Sequence, residues 1–329
     1  MKFAMGCGRL VWAFLLPFAA HSHVAPRLEH LSVSGVEYVR LEDWARANNF
    51  QTKWAIPKQD FKLSSDSAVL DFSIDSRRMS INGIHLWLSA PIALLNGSAC
   101  ISRVDLPTAI QPVLTPAKSY SRRPIKKIVI DPGHGGKDPG YCDGKQQEKK
   151  YTLLLARELG ELLARAGFNP SLTRTADTFL DFPVRPDLAR RRGADLFISL
   201  HFNSAEMGAS GVKGVEVYCM TPPHTSSTND RGEGAGAGLY PGNRFDSKNV
   251  LLAFQLQKAL VKNLGAEDRG VRRARWAVLR PAEMPAVLIE GGFMSHPAEA
   301  NKIYDPGYRR QMAQAIVEGV KAYKNLVEQ

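Results

Sequence analysis

Apolar and polar positions alternate with a period near two along residues 28–113, in short runs separated by turn residues. Runs such as AVLDFSI at 68–74 and INGIHLWL at 81–88 predict short strands joined as hairpins, hence a small β-rich domain. Two stretches within it, GVEYVRLEDW at 35–44 and GSACISRVDL at 97–106, share a glycine, a β-branched residue four positions later and an aspartate before a large apolar side chain. They read as a degenerate two-fold repeat. Residues 114–123, with Pro116 and two serines, read as a linker.

From residue 124 the period changes. Apolar runs at 127–130, 196–200, 215–219 and 286–289 predict buried strands, and Leu155, Leu159, Leu162 and Ala166 mark one face of a helix that Gly167 ends. Further helical stripes run through 252–264 and 312–323. Strands alternating with helices over 124–329 predict an α/β fold, a mixed or mostly parallel sheet flanked by helices, preceded by the small β-rich domain. The stretch 221–248 interrupts this order, with five glycines, three prolines and neither period. Loops beyond about 12–15 residues are uncommon in compact domains, so it reads either as a lid over a substrate or as a passive insertion.

The first residues change the picture of where the chain acts. Lys2 and Arg9 supply positive charge, and an apolar run from Leu10 to Ala20 ends at His21, Ser22 and His23. This predicts a signal peptide over 1–22 rather than a membrane anchor, since a span needs roughly 20 apolar residues. The mature protein is then periplasmic or secreted, associated with the cell envelope, and not integral to the membrane. Lys and Arg number 43 against 32 Asp and Glu, a net charge of +11. In a secreted protein that favours anionic envelope polymers or membrane surfaces, and without an aromatic-interleaved basic stripe or zinc-finger spacing it does not predict nucleic acid as a partner. Outside the leader, which holds Cys7, the cysteines are Cys100, Cys142 and Cys219. No C-x-x-C pair occurs, so a cysteine metal knuckle is excluded and at most one disulfide can form. Cys142 reads as an unpaired loop cysteine.

Candidate chemistry gathers where strands end. His134 follows the apolar run at 128–130, Glu148 opens the first helix, His201 follows 197–200 and Glu290 follows 287–289. If those strands are parallel, all four residues meet at one sheet edge, where open α/β sheets bind ligands. Two imidazoles and two carboxylates without a thiol suit a catalytic zinc site, for which two His and one Glu are an established set that leaves a position for water. Gly133, Gly135 and Gly136 around His134 would allow a sharp turn and leave room for a bulky substrate.

The motifs that carry these residues are DPGHGGKDPG at 131–140, Glu148-Lys149, TRTAD at 173–177, ADLFISLHFNS at 194–204 and PAVLIEGGFMS at 285–295. In order and spacing they resemble the zinc-dependent N-acetylmuramoyl-L-alanine amidases of the type 3 family, over about residues 126–325. The resemblance implies a peptidoglycan hydrolase that cleaves the amide between N-acetylmuramic acid and L-alanine of the stem peptide, by zinc-activated water with a Glu as general acid/base. It implies one Zn2+ per chain held by His134, Glu148 and His201, with Glu290 catalytic. Asn203 reads as an orienting residue near a ligand or the substrate, or as a turn former. Arg174, Asp177 and Arg185 read as scaffold ion pairs or substrate-edge residues. Peptidoglycan is the implied partner, with a protein activator left open. Rival readings are a zinc peptidase cutting within the stem peptide and a wall-binding protein without activity. Residues 28–113 are weakly similar to a small stalk domain, named for copper amine oxidases, that precedes some cell-wall hydrolases, so a packing or wall-targeting role is expected there.

Ser204 stands where an alanine is usual in the family, and His296 where an asparagine often follows the serine. Some relatives carry a zinc-blocking regulatory helix in the region of 221–248, and no helical pattern marks one here. His224 and His296 lie in proline-flanked segments and read as turn or surface residues.

Overall fold

A computed structural model describes residues 30–118, 124–205, 211–229 and 238–328. The signal peptide expected over 1–22 lies outside them, as do the end of the expected linker and residues 230–237 of the expected loop.

The N-terminal part contains β1 (His30–Val33), β2 (Val36–Arg40), α1 (Leu41–Ala47), β3 (Gln51–Ile56), β4 (Asp60–Ser64), β5 (Val69–Ser73), β6 (Arg78–Ile81), β7 (Ile84–Trp87), β8 (Ala93–Leu95), β9 (Ser98–Ser102) and α2 (Gln111–Leu114). Three of its hairpins turn at Ser34-Gly35, Asn82-Gly83 and Asn96-Gly97, with positive φ at both residues of each pair. Such turns match the twist of the strands they join, and Asn-Gly adopts them readily. The two stretches that look alike in sequence occupy like places. Each begins at a hairpin glycine and continues into a strand, and these strands, β2 and β9, pair antiparallel at the centre of a sheet ordered β1-β2-β9-β8.

The C-terminal part contains β10 (Lys127–Pro132), β11 (Cys142–Asp143), β12 (Gln146–Gln147), α3 (Glu148–Arg165), β13 (Asn169–Leu172), α4 (Val184–Arg191), β14 (Leu196–Asn203), β15 (Val215–Met220), α5 (Asp246–Leu264), β16 (Asp268–Ala274), β17 (Ala286–Phe293), α6 (Pro297–Tyr304) and α7 (Pro306–Glu328). The main sheet is mixed, ordered β13-β10-β14-β17-β15-β16-β7-β6-β5-β4-β3. Strands β13, β10, β14 and β17 are parallel, and β15 runs against β17. Alternation sends Ile128 and Ile130 to the face covered by α3, α5 and α7, and Val129 to the opposite face beside Ala189 of α4.

The β-rich segment continues this sheet. Strand β7 lies parallel to β16, and its His85 backbone N–H donates to Asp268 Oδ2 at 2.8 Å while the Trp87 indole donates to the Arg269 carbonyl at 3.0 Å. One apolar cluster runs from Phe61 and Leu70 through Leu86 to Val217 and Leu256. Two local expectations shift. The buried stripe of α3 is Tyr151, Leu155, Leu159 and Leu163, with Leu162 only half-buried. Helix α5 begins at Asp246, inside the stretch expected as loop, behind a 3-10 turn at Pro241–Phe245. Cys100, Cys142 and Cys219 are all unpaired.

Candidate metal centre

The parallel strands β10, β14 and β17 carry three of the four candidate residues to their carboxyl edge. His134 lies two residues beyond β10, and Glu148 opens α3. His201 and Glu290 sit within the last residues of β14 and β17 rather than after them, and they are register partners.

His134 Nε2, Glu148 Oε1 and His201 Nδ1 form a triangle with every side 3.1 Å. Among the described residues this is a group able to hold a metal ion. Each corner is fixed from behind. His134 Nδ1 lies 2.9 Å from Asp138 Oδ2, so that nitrogen carries the proton and Nε2 presents a lone pair to the centre of the triangle. Glu148 is buried, its Oε1 accepting from the Phe202 N–H and its Oε2 from the Tyr141 N–H, both at 3.0 Å. Burial alone would raise the Glu148 pKa, but the two imidazoles overcome it and hold the carboxyl well below its ordinary range. For His134, burial opposes the charge, and Glu148 and Asp138 raise its pKa against that penalty.

The loop that presents His134 is held in an uncommon conformation. His134 itself has φ +60°, a left-handed geometry that costs a residue with a side chain of order 1–3 kcal/mol. Arg185 offsets this by donating to the carbonyls of Pro132 and His134 at 2.9 and 3.0 Å, and Arg174 by donating to those of Pro132 and Gly133 at 3.0 and 2.9 Å. Asp131 is fully buried, binding Arg185, Thr173 and Ser199. Asp177 accepts from the Gly136 N–H at 2.7 Å and pairs with Lys149. Of the two roles open to Arg174, Asp177 and Arg185, the contacts are those of a scaffold. Gly133 corrects another expectation. A Cβ there would lie 2.3 Å from the His201 ring, so the missing side chain makes room for the protein's own imidazole, not for a substrate.

Glu290 closes the site from the adjacent strand. Its carboxyl is buried, with Oε2 lacking a hydrogen-bond partner among the described residues, and burial followed by the nearby Glu148 and Glu216 holds its pKa well above 4.5. Glu216 lies opposite it across β15 and β17. That second carboxylate is neutralised by Arg269 and by Arg272 at 3.4 Å, and it accepts from the Tyr218 hydroxyl at 2.7 Å.

A cavity of about 390 Å³ opens over the triangle, with Glu290 on one wall and Phe182 and Trp276 among the other lining residues. Asn203 also lines it, its amide 3.4 Å from Glu216 Oε2 and its Oδ1 accepting from the Ser204 N–H. His296 caps α6 by accepting from the Glu299 N–H, and His224 is exposed in a turn, so neither reaches the triangle. The residues that sequence reading passed over are Asp138, Glu216, Phe182 and Trp276. Only Asp138 left a signal, a carboxylate four residues after the motif histidine.

Comparison with known proteins decides the lineage. The family model described as N-acetylmuramoyl-L-alanine amidase matches residues 128–322. The chain belongs to this family. It is 35% identical to the N-acetylmuramoyl-L-alanine amidase AmiC of Neisseria meningitidis serogroup B over 260 residues, which cover 71% of this chain and 62% of that protein. The chain thus spans under two thirds of that relative's length. Among solved structures, the catalytic domain of CwlV, an N-acetylmuramoyl-L-alanine amidase from Bacillus (Paenibacillus) polymyxa, is 30% identical with a TM-score of 0.51, covering 61% of this chain and 99% of its own. AmiC2 of Nostoc punctiforme is 31% identical at the same TM-score, covering 60% of this chain and 96% of its own. The matched region holds the C-terminal strands and helices, and β1 to β9 lie outside it.

Proposed function

We propose that the chain is a zinc-dependent N-acetylmuramoyl-L-alanine amidase that cleaves the bond between the lactyl group of N-acetylmuramic acid and L-alanine of the stem peptide. The observation that carries this reading is the 3.1 Å triangle of two imidazole nitrogens and one carboxylate oxygen beside a second, buried carboxylate. A tetrahedral ion with ligands about 2.0–2.1 Å away needs donor atoms roughly 3.3 Å apart, and the donor set is one that catalytic zinc takes. In this reading His134, Glu148 and His201 hold the ion, and Asp138 orients His134. When bound, zinc supplies Lewis acidity to a carbonyl oxygen and to water.

Glu290 has the remaining task. Its unpartnered oxygen can take the proton of the attacking water and pass it to the departing amine, which could not leave as an anion. Its high proton affinity suits the second half of that exchange. Phe182 and Trp276 give the cavity an apolar rim on which a sugar or a peptide side chain can rest. Peptidoglycan as substrate places the protein in the periplasm or outside the cell, in keeping with the basic charge and the leader expected over 1–22. No described helix is long and apolar enough to cross a membrane. Residues 28–113 act in this reading as a buttress of the catalytic sheet and as a wall-targeting module. The test is elemental analysis of the purified full-length protein together with cleavage of a soluble muramoyl peptide. Close to one zinc per chain and cleavage at the lactyl amide are expected; a protein that takes up no zinc on reconstitution would overturn the assignment.

A further inference from the structure

A second cavity, of about 850 Å³, lies between the N-terminal strands and helices α5 and α7. It is separate from the metal centre. Asn325 of α7 borders it, next to Lys324, which donates to the Ile125 carbonyl at 3.1 Å just before β10 begins. His134 lies past the other end of β10, and six strand residues span roughly 20 Å.

Its lining is unusual for a seam between two packed segments. Gln51, Gln111, Gln255 and Asn325 converge on it from β3, α2, α5 and α7, and none of these side-chain amides forms a hydrogen bond within the described residues. Each therefore offers two N–H donors and a carbonyl acceptor to whatever fills the space. Trp44 and Phe50 add aromatic wall, with ring centroids 5.6 Å apart, and the buried Trp44 indole N–H has no acceptor among the described residues. Such a group ordinarily finds one. The charged side chains on the lining are Asp66 and Lys258, of opposite sign.

We propose that this cavity binds a neutral glycan, the sugar backbone of the peptidoglycan strand whose stem peptide is cut at the metal centre. Unpaired amides beside aromatic rings match hydroxyl and acetamido groups on a ring with apolar faces. Nucleic acid or an acidic polymer needs cations that the wall does not supply, and a metal needs converging carboxylates or imidazoles. A stem peptide brings carboxylates that only Lys258 would meet. The choice of this particular glycan rests on the amidase reading; the chemistry of the cavity does not. Its consequence is that the enzyme holds the strand at one place and cuts at another.

The experiment uses the full-length protein and oligomers of β-1,4-linked N-acetylglucosamine, a neutral form of that sugar backbone with no amide for the metal centre to cut at a lactyl group, with binding measured by calorimetry. The variant combines Gln51→Ala, Gln111→Ala and Asn325→Ala, three exposed side chains that hold nothing in the fold. Losing three hydrogen-bonding side chains should weaken binding about tenfold or more. Cleavage of a soluble muramoyl peptide should stay at the wild-type rate while digestion of intact wall falls. Undiminished glycan affinity in the variant, or no glycan binding by the wild type, would overturn the proposal. Failure of the amidase reading would show differently, as an uncut muramoyl peptide with wild-type protein whose glycan binding is intact.

Discussion

Replacing Glu290 by glutamine separates its proton from its burial. Because burial and neighbouring carboxylates hold the Glu290 pKa well above 4.5, the neutral acid is the form that the fold favours. A raised folded-state pKa means a stabilising contribution that is complete below about pH 4.5, the unfolded value, and is lost as pH rises toward the folded one. Metal-free Glu290→Gln should therefore melt with the wild type below about pH 4.5 and above it near pH 7; equal melting temperatures across that range would show that the carboxylate is not penalised. The same substitution should keep zinc and lose about 10²- to 10⁴-fold in rate, the usual cost of a missing general acid/base. Glu148→Gln should instead bind zinc measurably less tightly, since an amide oxygen is a weaker ligand than a carboxylate. Zinc titration of both variants checks the pair, and a reversed pattern would exchange the two roles. Glu290 was legible because it stands at the end of an apolar run and Glu148 because it opens the first helix, whereas Glu216 reaches Glu290 only through the register of β15 against β17. Register is a long-range property that local pattern does not carry.

At the scale of elements, the site depends on how closely the end of β10 approaches β14. The Gly133 N–H donates to the Leu200 carbonyl at 3.0 Å, and the His201 ring lies over the space where a Cβ would be. Gly133→Ala must therefore displace that ring. It should lose zinc binding while keeping its helix content, as metal analysis and circular dichroism would show; an alanine variant with full zinc would mean that the loop yields more easily than its contacts imply. Asp138→Asn should be milder. A partner that orients a ligand histidine is typically worth 10- to 100-fold in metal affinity. Strands β10, β14, β15 and β17 and helices α3, α5 and α7 could be read from period, but not β13, α4, β16 and α6, which carry few apolar residues. The start of α5 could not, because Asp246 and Asn249 hide an apolar helix behind polar residues that bond inward to the turn before it: Asn243 donates to Asp246, and Asn249 to the Gly242 carbonyl at 3.1 Å.

Across the whole molecule, the expected division at 114–123 meets a sheet that does not stop there. Strand β7 pairs with β16, Arg272 stacks on Trp87 at 4.7 Å, and Arg273 donates to the Thr108 carbonyl, so residues before the division and after it share strands and core. Alternation predicts the strands on both sides but says nothing about which edge meets which. The protein should unfold in one transition, with circular dichroism and tryptophan fluorescence coinciding, and a fragment starting at Pro124 should be less stable than the full chain because it exposes the β16 edge. Two separated transitions, with a fragment as stable as the full chain, would mark the halves as independent. The central claim concerns which bond is cut and by what means. Digestion of purified peptidoglycan with and without a chelator, followed by mass analysis of the soluble products, tests it most directly: chelator-sensitive release of intact stem peptides beginning at L-alanine is predicted, and peptides cut within the stem, or release that persists without metal, would contradict it.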